Sequence, residues 1–381
     1  MLKDIYRRYS DPAAARQLLA DSAAQAVSWR WASESMAEEL PFLQEKYGGP
    51  KARWIADDKA DAARHVHHGF DAAGRLVLQR ESSGRETAWL HEAGRRTGVQ
   101  FSLYEDEAHI GVVTQYRDAA SGLLASHHVS HGHKGFDERF LWENGQLQRA
   151  VTSNWAQGER TWLCQNVYRY DDAALLDTIT LEYLDEDGQP DGQRRLTYRR
   201  PRKGETLAAV AAKVEALLVA QITEALALIP RDEKIYCLLI CYTEEDPAAA
   251  WPPFLVWGRE SYRRSVLQKG EEVPYYLWAP DEIREVQGDA HERWFDDASL
   301  KENCLLHSQF MDMQQSTASA RRVLKNLALH FNAPAAHASL HATDDFVVAY
   351  ADNTGEVDPL KAMKAGIAPE RWALLKERGC V

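Results

Sequence analysis

The chain has 381 residues, 45% of them apolar and 27% charged, enough for a sizeable core and comfortable for two domains. A formal net charge of −12 speaks against nucleic-acid binding, which needs a basic face against phosphate, and suits a basic partner. The charge is uneven: 27 Lys and Arg stand against 30 Asp and Glu up to residue 203, and 18 against 27 beyond it.

Cysteine usage points to a reducing compartment. The five cysteines, Cys164, Cys237, Cys241, Cys304 and Cys380, are scattered and odd in number, with no CxxC, so neither a disulfide framework nor a zinc knuckle is expected. Cys237 and Cys241 share one face of an expected strand but stand about 13 Å apart, too far to bridge. The start, "MLKDIYRRYSDPAAARQLL", carries charges where a signal peptide needs an apolar core. No apolar run approaches the ~18 residues of a membrane helix. A cytoplasmic protein that engages no membrane is the expectation.

Residues 1–60 read as a helical lead-in. "SDPAAARQLLAD" has Ser10 or Asp11 as a cap and Pro12 in the first turn, a good helix start. Residues 61–200 change texture. Apolar-polar alternations recur every eight to fourteen residues ("GRLVLQRE", "GVQFSLYE", "HIGVVTQY", "TWLCQNVYRY", "DTITLEYL", "RRLTYRR"), separated by Gly, Asp and Asn. This predicts an antiparallel meander of about ten strands or more. Val99, Phe101 and Leu103 are predicted to share one face, as are Ile179, Leu181 and Tyr183. "GFDAAGRL" (69–76), "GFDERFLWENGQL" (135–147) and "RYDDAALL" (169–176) each place an aromatic-Asp pair before a turn and a new strand. These stretches resemble single YD repeats of Rhs-type proteins.

"RRPRKGET" (199–206) is a charged joint with Pro and Gly, and the best boundary. Beyond it, 205–381 reads as a mixed α/β domain. Leu207, Val210, Val214, Leu217, Leu218, Ile222, Ala225, Leu226 and Ile229 form an apolar stripe at helical spacing, ended by Pro230. "KIYCLLICY" (234–242) is apolar on both faces, as in a central strand covered on both sides. "PFLVWG" (253–258) and "DFVVAYA" (345–351) are its expected companions. One long helix is expected across "SLKENCLLHSQFMDMQQSTASARRVLKNLALHF", and a helical tail after it. The fold class is therefore α+β.

Few motifs carry chemistry. "SHHVSHGHKGFDE" (126–138) contains His131-Gly-His133, an i,i+2 pair that on a strand turns both rings to one side, as does His65-Val-His67. Four imidazoles would complete a tetrahedral metal site if those strands were neighbours. In a meander about four strands intervene, which puts the pairs roughly 24 Å apart unless the sheet closes. Solvated strand and loop histidines are the better reading. His337 and His341 would share a helix face near Asp344 and Asp345, with no third ligand set by spacing. His91-Glu92 and His291-Glu292 lack the second histidine of HExxH, and no GxSxG, Walker loop or GxGxxG is present. No catalytic residue is nominated and no cofactor is expected. "ADNTGEVDP" (351–359), with Asp352, Glu356 and Asp358, departs from the EF-hand pattern and reads as a turn closed by Asn353 and Gly355.

The acidic stretch "DEIREVQGDAHERWFDD" (281–297) is the most suggestive. Asp281, Glu282, Glu285, Asp289, Glu292, Asp296 and Asp297 outnumber Arg284 and Arg293. It reads either as a solvated face or as a patch shown to a basic protein, with Trp294 and Phe295 as aromatic anchors. "TEEDPAAAWPPF" (243–254) repeats the pairing of acid and ring at Trp251.

The order long helix, "KIYCLLICYTEE", "PFLVWG", long helix, "DFVVAYADNTGEVD" and short C-terminal helices resembles an uncharacterised bacterial domain family found among immunity proteins of polymorphic-toxin systems. The resemblance covers about residues 205–381. It implies a stoichiometric, non-enzymatic inhibitor of a cognate toxin protein. Two alternatives stand beside it: a metal-dependent hydrolase built on the clustered histidines, and a scaffold or adaptor of a toxin-delivery system.

Overall fold

The computed structural model describes residues 2–36, 40–104, 107–119, 122–245, 251–288, 291–355 and 357–381. The fold is α+β, with two compact units, Met1–Arg200 and Pro201–Val381.

The first unit opens with α1 (Leu2–Tyr9) and α2 (Pro12–Gln25), the latter capped by Asp11, whose side chain accepts from the Ala14 amide. Helix then gives way to β1 (Ser28–Ala32), α3 (Leu43–Tyr47) and β2 (Trp54–Ile55). The helical reading thus fails at "SWRWA": Trp29 and Trp31 alternate with Arg30, and bulky rings two apart favour a pleated strand.

A run of antiparallel strands follows: β3 (Val66–Phe70), β4 (Leu76–Arg80), β5 (Arg85–Glu92), β6 (Arg95–Tyr104), β7 (Glu107–Ala119), β8 (Gly122–Ser130), β9 (Lys134–Glu143), β10 (Gln146–Ala156), β11 (Glu159–Tyr170), β12 (Leu176–Leu184) and β13 (Pro190–Arg199). Each pairs with the next, and β1 then β2 add on beyond β3, so thirteen strands form one sheet among the described residues. Strand β13 ends it with Pro190, Asp191, Arg194 and Arg195, a charged edge that discourages further pairing.

The sheet buries apolar residues on both sides. Against one face, Tyr9 of α1 and Ala15, Leu18 and Leu19 of α2 pack on Leu78, Ala88, Val99, Phe101 and Val113. On the other, Leu40 and Phe42 cover Trp89, Tyr116, Phe140, Ala150, Tyr168 and Ile179. Neither cover reaches the strand ends: Val99 and Phe101 are fully buried while Leu103 is exposed, and Ile179 is buried while Tyr183 is exposed.

Three of the hairpins share a turn. The Asp71 carboxylate accepts from the amides of Ala73 and Arg75, Asp171 from those of Ala173 and Leu175, and Asp185 from those of Asp187 and Gln189. Two of the three aromatic-Asp stretches therefore do make this turn. In the third, Asp137 sits inside β9 and hydrogen-bonds His127 at 2.6 Å. That hairpin turns later, at Asn144 and Gly145, both left-handed. Asp185 makes the turn without the aromatic-Asp pattern, because Leu184 precedes it.

In the second unit, α4 (Leu207–Leu228), capped by Thr206, buries Val210, Val214, Leu218, Ile222 and Leu226 of the anticipated stripe. β14 (Ile235–Tyr242) is buried throughout, paired antiparallel with β15 (Phe254–Arg259) and parallel with the later β17 (Ala342–Asp352). Between them come α5 (Glu260–Lys269), α6 (Val273–Trp278), α7 (Pro280–Gln287) and β16 (Glu292–Arg293), which pairs with β15. The expected long helix is two, α8 (Ala298–Gln314) and α9 (Ala318–Phe331). Gln315 takes a left-handed conformation there, and the amides of Gln315 and Ser316 close back on Asp312 and Met311, a C-terminal cap. The tail likewise splits into α10 (Pro359–Gly366) and α11 (Pro369–Glu377). Helices α4, α8 and α9 pack on one face of the sheet; α5, α6, α7, α10 and α11 pack on the other. All five cysteines are free and buried.

This packing has two measurable consequences. Ala174 occupies, at φ +59°, the turn position that Gly74 and Gly188 fill in the sister hairpins. A Cβ is disfavoured there, so Ala174→Gly should raise the urea midpoint, by about 0.5–1 kcal/mol in stability; a loss would contradict it.

The second concerns acid. His68 is fully buried, its Nε2 accepting from the Met36 amide at 3.0 Å and its Nδ1 facing the Val66 carbonyl at 3.2 Å. Only the neutral Nδ1–H tautomer serves both, and burial lowers its pKa to about 4. The unfolded chain takes up that proton near pH 6.5. Stability is therefore complete above that pH and falls towards pH 4, by up to about 3 kcal/mol for this residue. His68→Asn should flatten that slope in denaturation curves of the first unit.

Candidate functional site

The acidic stretch forms α7, β16 and the start of α8. Helix α7 turns Ile283 into the core and leaves Asp281 and Glu285 exposed and Glu282 half-buried. Much of the charge is answered locally. Arg284 pairs with Asp281 and, at 3.1 Å, with Glu292, while its guanidinium lies over the Phe254 ring. Asp296 pairs with Lys301, and Asp297 caps α8, its carboxylate accepting from the Leu300 amide at 2.7 Å. Asp289 lies outside the described residues.

Pairing of β16 with β15 swings the two following rings to different surroundings. Phe295 is buried in the core with Leu255 and Leu300. Trp294 remains 53% exposed, stacked on Phe254 at 4.2 Å and 15°, with its Nε1 donating to Glu292 Oε1 at 3.1 Å. Trp251 is also in the core, 5.7 Å from the His307 ring, and presents no free ring face. Of the three nominated anchors, only Trp294 faces solvent. Burial removes the other two, because a half-apolar segment beside a sheet edge fills the core first.

Sequence pattern did not single out two surface residues. Tyr275 of α6 and Val286 of α7 are 51% and 65% exposed. The Glu282 carboxylate raises the Tyr275 phenol pKa. Val286 follows Ile283 by one helical turn and reads as its core partner, which disguised it.

The histidines are not brought together. His131 and His133 sit in the β8–β9 turn, not on a strand, with His131 and Gly132 both left-handed and the His133 Nδ1 2.7 Å from the His131 carbonyl. His65 caps a turn, its Nδ1 accepting from the Asp61 amide at 2.9 Å. His67 stacks on Trp31 at 3.9 Å and 6°. Four strands, β4 to β7, separate β3 from β8. His337 and His341 follow α9 in irregular chain, facing the carbonyls of Phe331 and Arg231. Among the described residues, no three His, Cys, Asp or Glu side chains are grouped to hold a metal ion. Asp352 accepts from the Glu244 amide, which follows β14, and from the Thr354 hydroxyl of its own loop, and Asp358 caps α10; Glu356 lies outside the described residues.

Among the described residues of the second unit there is one serine-histidine contact: His307 Nε2 is 2.8 Å from Ser319 Oγ. His307 is fully buried and Ser319 nearly so, and burial lowers the histidine pKa to about 4. A base that weak, out of reach of solvent, is a packing contact.

No protein-family model matches the chain, and no curated protein matches it. Among the described residues, no helix is long and apolar enough to cross a membrane.

The two adjacent rings should separate cleanly by stability. Phe295→Ala is expected to cost roughly 3–5 kcal/mol in chemical denaturation, as a core cavity. Trp294→Ala, which loses mainly one stacked face, should cost no more than about 1.5 kcal/mol. Equal losses would place Trp294 in the core instead.

Proposed function

We propose that this protein acts by binding another polypeptide, as an immunity-type inhibitor that covers the working surface of a basic toxin domain. The supporting observation is the exposed Trp294, held flat on Phe254 beside α7. A large ring with one free face and a fixed orientation is the side chain most often found at the centre of binding energy. Tyr275 and Val286 add exposed apolar area nearby in sequence, and Glu282 and Glu285 add negative charge. The excess of acid over base beyond residue 203 would draw a cationic partner in.

The hydrolase alternative loses its main support with the separation of the histidine pairs. The scaffold alternative differs in predicting no rescue.

Co-expression with toxin domains encoded beside the gene should restore growth and yield a stable one-to-one complex. In that complex, Glu282→Lys with Glu285→Lys should slow association about tenfold or more at low salt, with a smaller effect at high salt. Trp294→Ala should mainly speed dissociation. Absence of rescue and of a complex with every neighbouring product would defeat the reading.

A further inference from the structure

Helices α1 and α2 pack on their face of the meander at β4, β5, β7 and β8. Val113 of β7 lies beneath them, and Arg117, two alternations further along that strand, points to the same side. From Arg117 a row in register runs through Ala125 of β8, Arg139 of β9 and Val151 of β10 to Glu182 and Arg194. That row identifies the same face on the strands beyond β8.

Those strands are dressed alike. On β9, Arg139 and Leu141 are two residues apart and so share this face; Arg149 and Val151 repeat the pairing on β10, and Val167 and Arg169 on β11. Strand β13 has it again in Arg194 and Leu196. The four arginines are exposed, Leu141 is 42% exposed, and the other aliphatic side chains are half-buried. None of the four arginines has an ion-pair or hydrogen-bond partner among the described residues. Of the carboxylates beside them, Asp137 is held by His127 at 2.6 Å and Glu182 accepts from Gln165 at 2.8 Å, while Glu143 stands at the end of β9.

An arginine next to an aliphatic side chain, repeated from strand to strand, is complementary to a carboxylate next to an aliphatic side chain. The guanidinium takes a carboxylate through two parallel hydrogen bonds, and its neighbour gains from apolar cover. Nucleic-acid bases would need rings to stack on, and the side chains paired with these arginines are all aliphatic. A nucleic acid or an anionic bilayer would also extend over the rest of a chain of net charge −12, whereas a short segment stays within the ~8 Å reach of the local arginines. From β9 to β13 there are four strand spacings, about 19 Å, the length of a helix of about 13 residues. We infer that β9 to β13 dock an acidic amphipathic helix of a partner polypeptide, which continues the layer begun by α1 and α2. Its carboxylates meet Arg139, Arg149, Arg169 and Arg194, and its apolar stripe lies on the aliphatic residues beside them. This surface is separate from the one around Trp294 and does not depend on it.

Fluorescence anisotropy on the full chain tests this with a synthetic peptide of about that length, leucines at helical spacing flanked by glutamates. The peptide should bind saturably, and more weakly as salt is raised. Arg139→Glu with Arg149→Glu should weaken binding about tenfold or more, and Arg169→Glu with Arg194→Glu should do the same from the other end. Both pairs should leave the melting temperature unchanged, since the four side chains are exposed and unpaired. Leu141→Ser should weaken binding several-fold, and Trp294→Ala should not alter it. Each of four results would overturn the inference: no saturable binding at millimolar peptide, binding indifferent to both arginine pairs, equal binding by a peptide with serine in place of every leucine, or binding lost with Trp294→Ala. So would a single-stranded oligonucleotide or phosphatidylserine vesicles binding through these arginines in the peptide's place.

Discussion

Glu138 sits in the middle of β9 with only 2% of its side chain exposed, and Lys46 at the end of α3 reaches it at 2.6 Å. Thr152 Oγ1 donates to the same carboxylate at 3.0 Å. Burial works against the ammonium, but Glu138 and Tyr47 together outweigh it and the Lys46 pKa is raised. Breaking a pair this buried typically costs about 3–5 kcal/mol, although assembling it from water gains little. What it contributes is therefore position. It fixes α3 on the sheet, which brings Phe42 to 5.6 Å from Tyr168 and 6.2 Å from Tyr170. Without that strap, Trp89, Tyr116 and Tyr168 would face water.

A sheet of this length has to solve register many times over. Side chains alternate with period two, so one slipped hairpin would exchange the faces of every strand after it. The repeated aspartate turn is the local answer. A carboxylate bound to two amides of the turn fixes where β4, β12 and β13 begin, independently of the core. This is why the meander was legible from sequence: turn chemistry and alternation are both short-range. The covers were less so. α1 and α2 could be anticipated as helices, but the strap at 40–47 has no strong period, and its anchor lies 92 residues away at Glu138. The arginine face was illegible for the same reason, since Arg139 and Arg194 come into line only through the pairing of β9 to β13.

The second unit shows the converse. Its central strands were plain, because a short run that is apolar on both faces must be covered on both sides. The boundary between α8 and α9 was not, because a left-handed glutamine leaves no signature of the kind glycine does. The buried Asp345 was also invisible. It is fully buried, 2.8 Å from Arg263 and 2.7 Å from Arg378, so it ties α5 and the end of the chain to β17. Burial alone would raise its pKa; the hydrogen bond from Arg263 and the positive charges of Arg263 and Arg378 hold it below the usual carboxylate range. In sequence Asp344 and Asp345 look alike, yet Asp344 remains largely exposed and pairs with Arg378 at the surface.

The same distinction governs the acidic stretch. Counting carboxylates from 281 to 297 overstates what a partner touches, since Asp281, Glu292, Asp296 and Asp297 already have partners within the unit. It does not overstate what a partner feels on approach. At physiological salt the field extends about 8 Å and reports net charge, and internal pairs leave the surplus of acid unchanged. Contact and approach then rest on different residues. On the proposed reading, rate would follow the excess negative charge beyond residue 203, while register and lifetime would rest on the exposed groups, chiefly Trp294, Tyr275 and Val286 with Glu285.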